Sequence, residues 1–252
     1  MSQYLSDQWI WPVIAAPFIG SFIGVLILRL PAGQPIGMVR SACPHCSVTL
    51  GATDLVPFAS WLLLRGRCRH CSAALGAFYP GIEAASLVVA AWAVLVLPGP
   101  LSWIGCILGW TLLAAAMIDL RHLVLPDVLV LPLIPAGLAV HALIAPERLP
   151  DHAIGAVIGY LGFVAIRGLY GAIRRREGLG LGDAKLLAAA GAWVGWQGLP
   201  SVVFLGAMLT LAGLLAVAAA GGKVDAKGEI PFGPALALAF WIVWLHGPLV
   251  AV

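Results

Sequence analysis

Four cysteines and two aspartates carry the residue types and spacings in this chain that could do chemistry. Cys43-Pro44-His45-Cys46 and Cys68-Arg69-His70-Cys71 form two C-x-x-C pairs with 21 residues between them. Two tight turns, each presenting a pair of thiolates, are the usual way to build a tetrahedral Zn²⁺ site. Four sulfurs close the coordination shell, so such a zinc would staple a loop rather than activate water, with His45 and His70 as spare ligands. A redox-active C-x-x-C is the alternative; duplication with basic neighbours favours metal. Asp119 follows Met117-Ile118, and Asp183 closes Gly180-Leu181-Gly182-Asp183, 64 positions further on. Two converging carboxylates that share one proton suit aspartic-peptidase chemistry, one as base toward a water and the other as acid toward the carbonyl. The glycines beside Asp183 permit close backbone approach. Two other readings stay open: interfacial caps neutralised by Lys185 or Arg121, or the proton relay of a transporter.

The elements that must position these groups follow from composition. Of 252 residues, 62% are hydrophobic and 10% charged, with a mean hydropathy of +1.01. A soluble domain has about 45–50% apolar and about 25% charged residues, so a cytosolic enzyme, a secreted disulfide scaffold and a disordered segment are excluded. The net charge of +3 is too small to suggest a nucleic-acid partner. Apolar stretches with at most one charged residue each predict eight spans: 10–28, 79–97, 101–118, 125–144, 153–170, two within 186–222, and 230–252. The pair within 186–222 is broken at Trp196-Gln197-Gly198-Leu199-Pro200. The first stretch alone, at about 1.5 Å per residue, covers roughly 28 Å of hydrocarbon. It is preceded by Asp7 and by no Lys or Arg, so it reads as an anchor rather than a cleaved leader.

The expected fold is therefore an all-α polytopic membrane protein with about eight transmembrane helices. Residues 1–30 supply the first helix, 31–77 a small cytoplasmic four-cysteine zinc-binding loop domain between helices 1 and 2, and 78–252 a seven-helix membrane domain that carries both aspartates, an aspartic peptidase domain if the carboxylates are catalytic. Placing the N-terminus outside puts 13 of the 14 basic residues on the cytoplasmic side and leaves only Arg148 outside. That orientation places the cysteine loop in a reducing compartment, against a disulfide reading. It also puts Asp119 and Asp183 at the same inner membrane boundary.

Several motifs then fall in order: Ser21-Phe22 with Arg29-Leu30-Pro31, the two cysteine pairs with Ser60-Trp61-Leu62-Leu63-Leu64-Arg65-Gly66-Arg67 between them, and Tyr79-Pro80-Gly81-Ile82-Glu83. Ile118-Asp119 with Leu125-Pro126-Asp127, the run Gly178-Leu179-Gly180-Leu181-Gly182-Asp183-Ala184-Lys185-Leu186-Leu187, and Ile230-Pro231-Phe232-Gly233-Pro234 follow. Over nearly its whole length the chain resembles the prepilin peptidases, the type IV leader peptidases of bacterial type IV pilus and type II secretion systems. The resemblance implies that Asp119 and Asp183 are the catalytic pair. It implies a prepilin or pseudopilin substrate whose basic leader is cut on the cytoplasmic side after a glycine, ahead of a hydrophobic helix. It further implies N-methylation of the new terminus with S-adenosylmethionine, involving the cysteine loop, in a bacterial inner membrane with both termini periplasmic. Members commonly read Ser-Phe-Leu-Asn where this chain has Ser21-Phe22-Ile23-Gly24. The missing amide bears on methyl transfer or a substrate contact, not on the aspartates. A non-catalytic zinc-containing assembly factor and the transporter relay are the competing functions.

Smaller expectations attach to single residues. Asp127 caps or polarises the start of helix four, and Lys185 snorkels, favours ionisation of a neighbouring aspartate or contacts the substrate. Glu83 suits a helix N-terminus, Cys106 is a buried apolar residue, and Arg174-Arg175-Arg176 anchors the inner surface.

Overall fold

A computed structural model describes residues 10–37, 39–174, 180–222 and 231–249. Arg175, Arg176, Gly178, Leu179, Lys223, Lys227 and Ile230, which carry parts of the motifs and charge pattern, lie outside the described residues. Among the described residues every regular element is a helix, and six helices are long and apolar enough to cross a membrane. The chain divides into two compact units, one ending at Trp110 and one starting at Thr111.

In the first unit, α1 (Ile10–Arg29) leads into the cysteine loop, which carries the short α2 (Ala59–Leu63) and returns to α3 (Phe78–Val96). The start of α4 (Leu101–His122) completes it. Glycines spaced one turn apart bring α1 and α3 together. A Cβ on Gly20 would lie 2.6 Å from the Glu83 Cα, and one on Gly24 would lie 2.7 Å from the Tyr79 ring. Small residues at such a spacing let helix backbones approach closely in lipid, where no hydrophobic effect drives association. The Ser86 hydroxyl donates to the Ala16 carbonyl across this seam at 2.7 Å, and Trp110 Nε1 donates to the Ser86 carbonyl at 3.0 Å. Gly24 thus gives a seat to an aromatic ring at the position where relatives were expected to carry an amide.

The second unit holds the end of α4, then α5 (Asp127–Val130), α6 (Leu133–Ile144), α7 (Leu149–Arg174), α8 (Leu181–Ala219) and α9 (Gly233–His246). The expected fourth span is interrupted between α5 and α6 at Leu131-Pro132. α8 runs for 39 residues but breaks at Gly195, whose φ of 71° and ψ of 173° are not helical. The break expected at residues 196–200 therefore falls just before them, on the glycine that adopts a positive φ without strain. Counting α8 as two halves and adding the 14-residue α9 recovers the eight segments read from the sequence. Gly155 and Gly159 of α7 face Gly191 and Leu187 of α8 so closely that side chains there would strike backbone. Ala188, Ala189, Ala190 and Ala192 bury the same stretch of α8. Cys106 is fully buried, as expected of a small apolar residue.

Candidate functional site

The aspartates belong to the second unit, and both are at helix ends. α4 continues to His122, so Asp119 lies inside its last turn, 7% exposed. Asp183 is the third residue of α8, 9% exposed, and N-cap Gly180 precedes that helix with extended backbone (φ −71°, ψ 143°). Its carboxylate reaches back to accept the Gly180 amide, half of a capping box. Asp119 in turn accepts the amide of Gly233, the first residue of α9. Each carboxylate therefore meets the N-terminus of a helix, where unpaired N–H groups and the helix dipole favour negative charge. The two are close enough to act on each other electrostatically.

Three glycines make this geometry possible. A Cβ on Gly233 would lie 2.5 Å from Asp119 Oδ2, and one on Gly180 would lie 3.2 Å from Asp183 Oδ2. A Cβ on Gly182 would strike Leu125 at 2.9 Å, and Leu125 would also stand 3.3 Å from a Cβ on Gly233. Leu125 is thus a buried apolar wedge between the two glycines that flank the carboxylates. The roles of Gly233 and Leu125 went unread in the sequence, although both sit in the motifs quoted there. Their signal was a glycine at the head of the last helix and a leucine just after Asp119.

Lys185 pairs with neither aspartate of this site. Its Nζ donates to Asp127 Oδ1 at 2.6 Å, with the lysine 29% and the aspartate 56% exposed. Asp127 is the first residue of α5, where a carboxylate suits the helix N-terminus, and it also forms this ion pair to α8.

The four cysteines converge in the first unit. Cys43 and Cys71 place their sulfurs 3.9 Å apart, Cys46 and Cys68 theirs 4.0 Å apart, and all four lie within 4.8 Å of one another. Zn–S bonds of about 2.3 Å in a tetrahedron put sulfurs roughly 3.8 Å apart, so the cluster fits zinc, and these spacings are far too long for disulfides. The four thiols are free. His45 and His70 stand outside the cluster. The two halves are the same turn used twice. Cys43 and Cys68 donate their amides to Val48 and Ala73, and accept through their carbonyls from Ser47 and Ser72. Those serines share a left-handed φ of 59° and 57°. Antiparallel bridges Ala42–Thr49 and Arg67–Ala74 close each turn. The Cys46 and His45 amides hold the Cys43 thiol down at about 6, and those of Cys71 and His70 lower Cys68. Cys71 accepts the Ala73 amide, yet burial and the three neighbouring thiols push it up to about 11. A cation among the four sulfurs would favour their thiolate forms.

Around the cluster, Arg69 Nε pairs with Asp54 at 2.8 Å and, with the Gly51 amide, holds that carboxyl below its ordinary value of 3.8. Glu83 lies in the second turn of α3 rather than at its N-terminus, 5% exposed, where its Oε2 accepts the Phe58 amide at 2.9 Å.

Comparison with known proteins places this arrangement. Residues 106–217 match the model of the type IV leader peptidase family, and residues 14–97 match the bacterial peptidase A24 N-terminal domain. A protein of Aeromonas hydrophila is 38% identical over 91% of this chain and 87% of its own length. The chain belongs to the type IV leader peptidase family. A member of this peptidase family from Burkholderia pseudomallei is 40% identical over 91% of this chain and 82% of its own. One from Pseudomonas aeruginosa is 34% identical over 93% and 89%. All three relatives are named prepilin leader peptidase/N-methyltransferase. No solved structure matches the chain. Both leader-peptidase aspartates expected from the motifs lie within the matched family segment.

Proposed function

We propose that this chain is a membrane aspartic endopeptidase that removes the basic leader of type IV prepilins or type II secretion pseudopilins after a glycine, and then N-methylates the new terminus. The observation that carries the peptidase half is a pair of buried carboxylates, each bound by a helix N-terminal amide and within electrostatic reach of the other. Like charges so placed share one proton. The ionised carboxylate takes a proton from a water as that water's oxygen bonds to the scissile carbonyl carbon. The protonated partner gives its proton to the carbonyl oxygen. As the tetrahedral species collapses, one of its hydroxyl groups returns its proton to the carboxylate that had given one, C=O re-forms, the C–N bond breaks, and the proton first taken from water goes to the leaving amine. The carboxylates stand in the last turn of α4 and the first turn of α8, not at mid-span as a transport relay requires.

The zinc half of the reading assigns Cys43, Cys46, Cys68 and Cys71 as ligands of a structural ion that supplies a cross-link and no open coordination position. Methyl transfer takes S-adenosylmethionine as donor of the methyl group. Division by chemistry gives an anchor at 1–30, the zinc loop at 31–77 and the membrane peptidase at 78–252. The distribution of Lys and Arg supports a bacterial inner membrane location, with the cysteine loop and aspartates facing the cytoplasm and both termini periplasmic. The partners are the substrate's hydrophobic helix and the lipid bilayer.

The test is leader cleavage of a prepilin by membranes carrying the wild type, Asp119→Asn or Asp183→Asn, with protein level and zinc content measured alongside. Both variants are expected to lose about 10²–10⁴-fold in rate at unchanged zinc. Cleavage by both at the wild-type rate overturns the peptidase assignment and returns the assembly-factor reading.

A further inference from the structure

A peptide bond inside an α-helix keeps its carbonyl in a hydrogen bond and screened by the next turn. The substrate residues at a cut must therefore leave the helical conformation before a water can reach them. Extended at a membrane boundary, their N–H and C=O groups lose internal partners, which is costly away from water.

The second unit carries a backbone with the matching need. α4 ends at His122 and α5 starts at Asp127, and between them Val124, Leu125 and Pro126 are neither helix nor turn. Leu123 leads the chain out of α4 with a left-handed φ of 54°. Pro126 is extended (φ −66°, ψ 127°), and a proline disfavours the α region for the residue before it, so Leu125 is extended as well. Among the described residues, neither Val124 nor Leu125 makes a hydrogen bond through its backbone. The cysteine turns, by contrast, close their own bridges.

This open backbone lies beside the carboxylates. Leu123 donates its amide to the Asp119 carbonyl at 2.8 Å, and Leu125 is the wedge against Gly182 and Gly233. With Leu125 turned inward, side-chain alternation turns Val124 outward, and it is exposed, as are Leu123 and Val128 on either side. In extended backbone the N–H and C=O of one residue point to the same edge. Val124 can therefore exchange both bonds with a single residue of a second strand. Its apolar neighbours suit the apolar residues that follow the cut glycine, and its nearness to Asp119 puts such a strand at the scissile bond.

We propose that Val124 is a docking edge for the substrate: the prepilin segment around the cut glycine lies extended against it and pairs through the Val124 N–H and C=O. The proposal rests on the peptidase reading above and adds the surface that holds the substrate open. Strand addition to an unpaired edge fixes the guest through main-chain bonds.

The experiment uses the full-length, zinc-loaded wild type in detergent and a synthetic peptide with a basic leader, a glycine and the first apolar residues of a substrate helix. Each backbone amide within about four residues of the cut, the scissile amide excepted, is replaced in turn by an ester, which removes one N–H. One ester is expected to lower kcat/KM by about two- to twelvefold, the worth of one hydrogen bond, while its neighbours stay within about twofold. No loss anywhere, or an equal loss at every position, overturns the proposal. A benzophenone side chain at successive positions of the same peptide then locates the edge. Photolabel is expected in residues 123–128 from alternate positions, because strand side chains alternate. Label from every third or fourth position, as from a helix, or label absent from residues 123–128, overturns the proposal. Failure of the wild type to cut the all-amide peptide overturns the peptidase reading and this proposal with it, whereas cleavage with misplaced label overturns this proposal alone.

Discussion

Both compact units keep carboxylates away from water, and they do it by different means. In the unit that starts at Thr111, Asp119 and Asp183 are delivered by helices and received by helix N-termini, so helix packing alone fixes them. Glycines of α7 and buried alanines of α8 lock that packing. In the unit that ends at Trp110, Glu83 is also delivered by a helix but is received by Phe58, a loop residue at φ 54°. The loop around Phe58 leaves Leu55, Leu62 and Leu63 exposed, and a metal joining its four thiols would add a constraint that those side chains do not supply. A site made by helix ends needs only close packing; a site made by a loop needs a cross-link. The two units should therefore fail separately and for different reasons.

The largest expected failure is in the cross-link. Cys46→Ser, or exhaustive chelation, removes one sulfur or the ion from a site whose metal affinity in small zinc domains is worth about 10–16 kcal/mol. Stoichiometric zinc should be lost, and trypsin should then cut at Arg65, Arg67 and Arg69. Peptides from residues 111–174 should stay as protected as in the wild type. Limited proteolysis with zinc analysis checks this, and simultaneous loss of protection in both stretches breaks the comparison.

The next failure is a misplacement in the helix-built site. Gly233→Val puts a side chain where Asp119 Oδ2 now lies, 2.5 Å from the new Cβ. Displacing a reacting group by about 1 Å costs on the order of 10²-fold. Leader cleavage should fall by about that factor while zinc content and tryptic pattern stay unchanged. Gly24→Val acts on the other unit by forcing Tyr79 off α1, an overpacking that costs about 1–3 kcal/mol. Its expected result is a lower thermal midpoint for zinc release, with leader cleavage at a permissive temperature retained.

How much of this was legible in the sequence follows from which interactions leave a local trace. The cysteine spacing specified a site whose sulfurs do converge, because two C-x-x-C turns need no distant help to present their thiolates. The spans were legible because hydrocarbon thickness and uncharged length match. Their ends were less so: α4 runs past residue 118 to include Asp119, and α7 begins at Leu149 rather than 153. Charged residues can end a span as hydropathy sees it without ending the helix. The partner of Asp119 was not legible, because a glycine at the head of α9 approaches an aspartate 114 positions earlier only in three dimensions. Lys185 was misleading for a related reason, since nearness in sequence to Asp183 suggested a pairing that the helix directs to Asp127 instead.

That lysine gives the smallest prediction and the one that most sharpens the comparison. Lys185 and Asp127 are both solvent-accessible, and exposed ion pairs contribute about 0.2–1 kcal/mol. If the aspartates are held by helix N-termini alone, Lys185→Met, Asp127→Asn and the double variant should each change the cleavage rate by less than about fivefold, with a coupling under about 1 kcal/mol. A double-mutant cycle on leader cleavage measures that coupling. A fall for Lys185→Met as large as that for Gly233→Val would mean that a side-chain cation, rather than the helix ends, maintains the charge state of the pair. The helix-built site would then depend on a long, flexible residue, and the contrast between the two units would disappear.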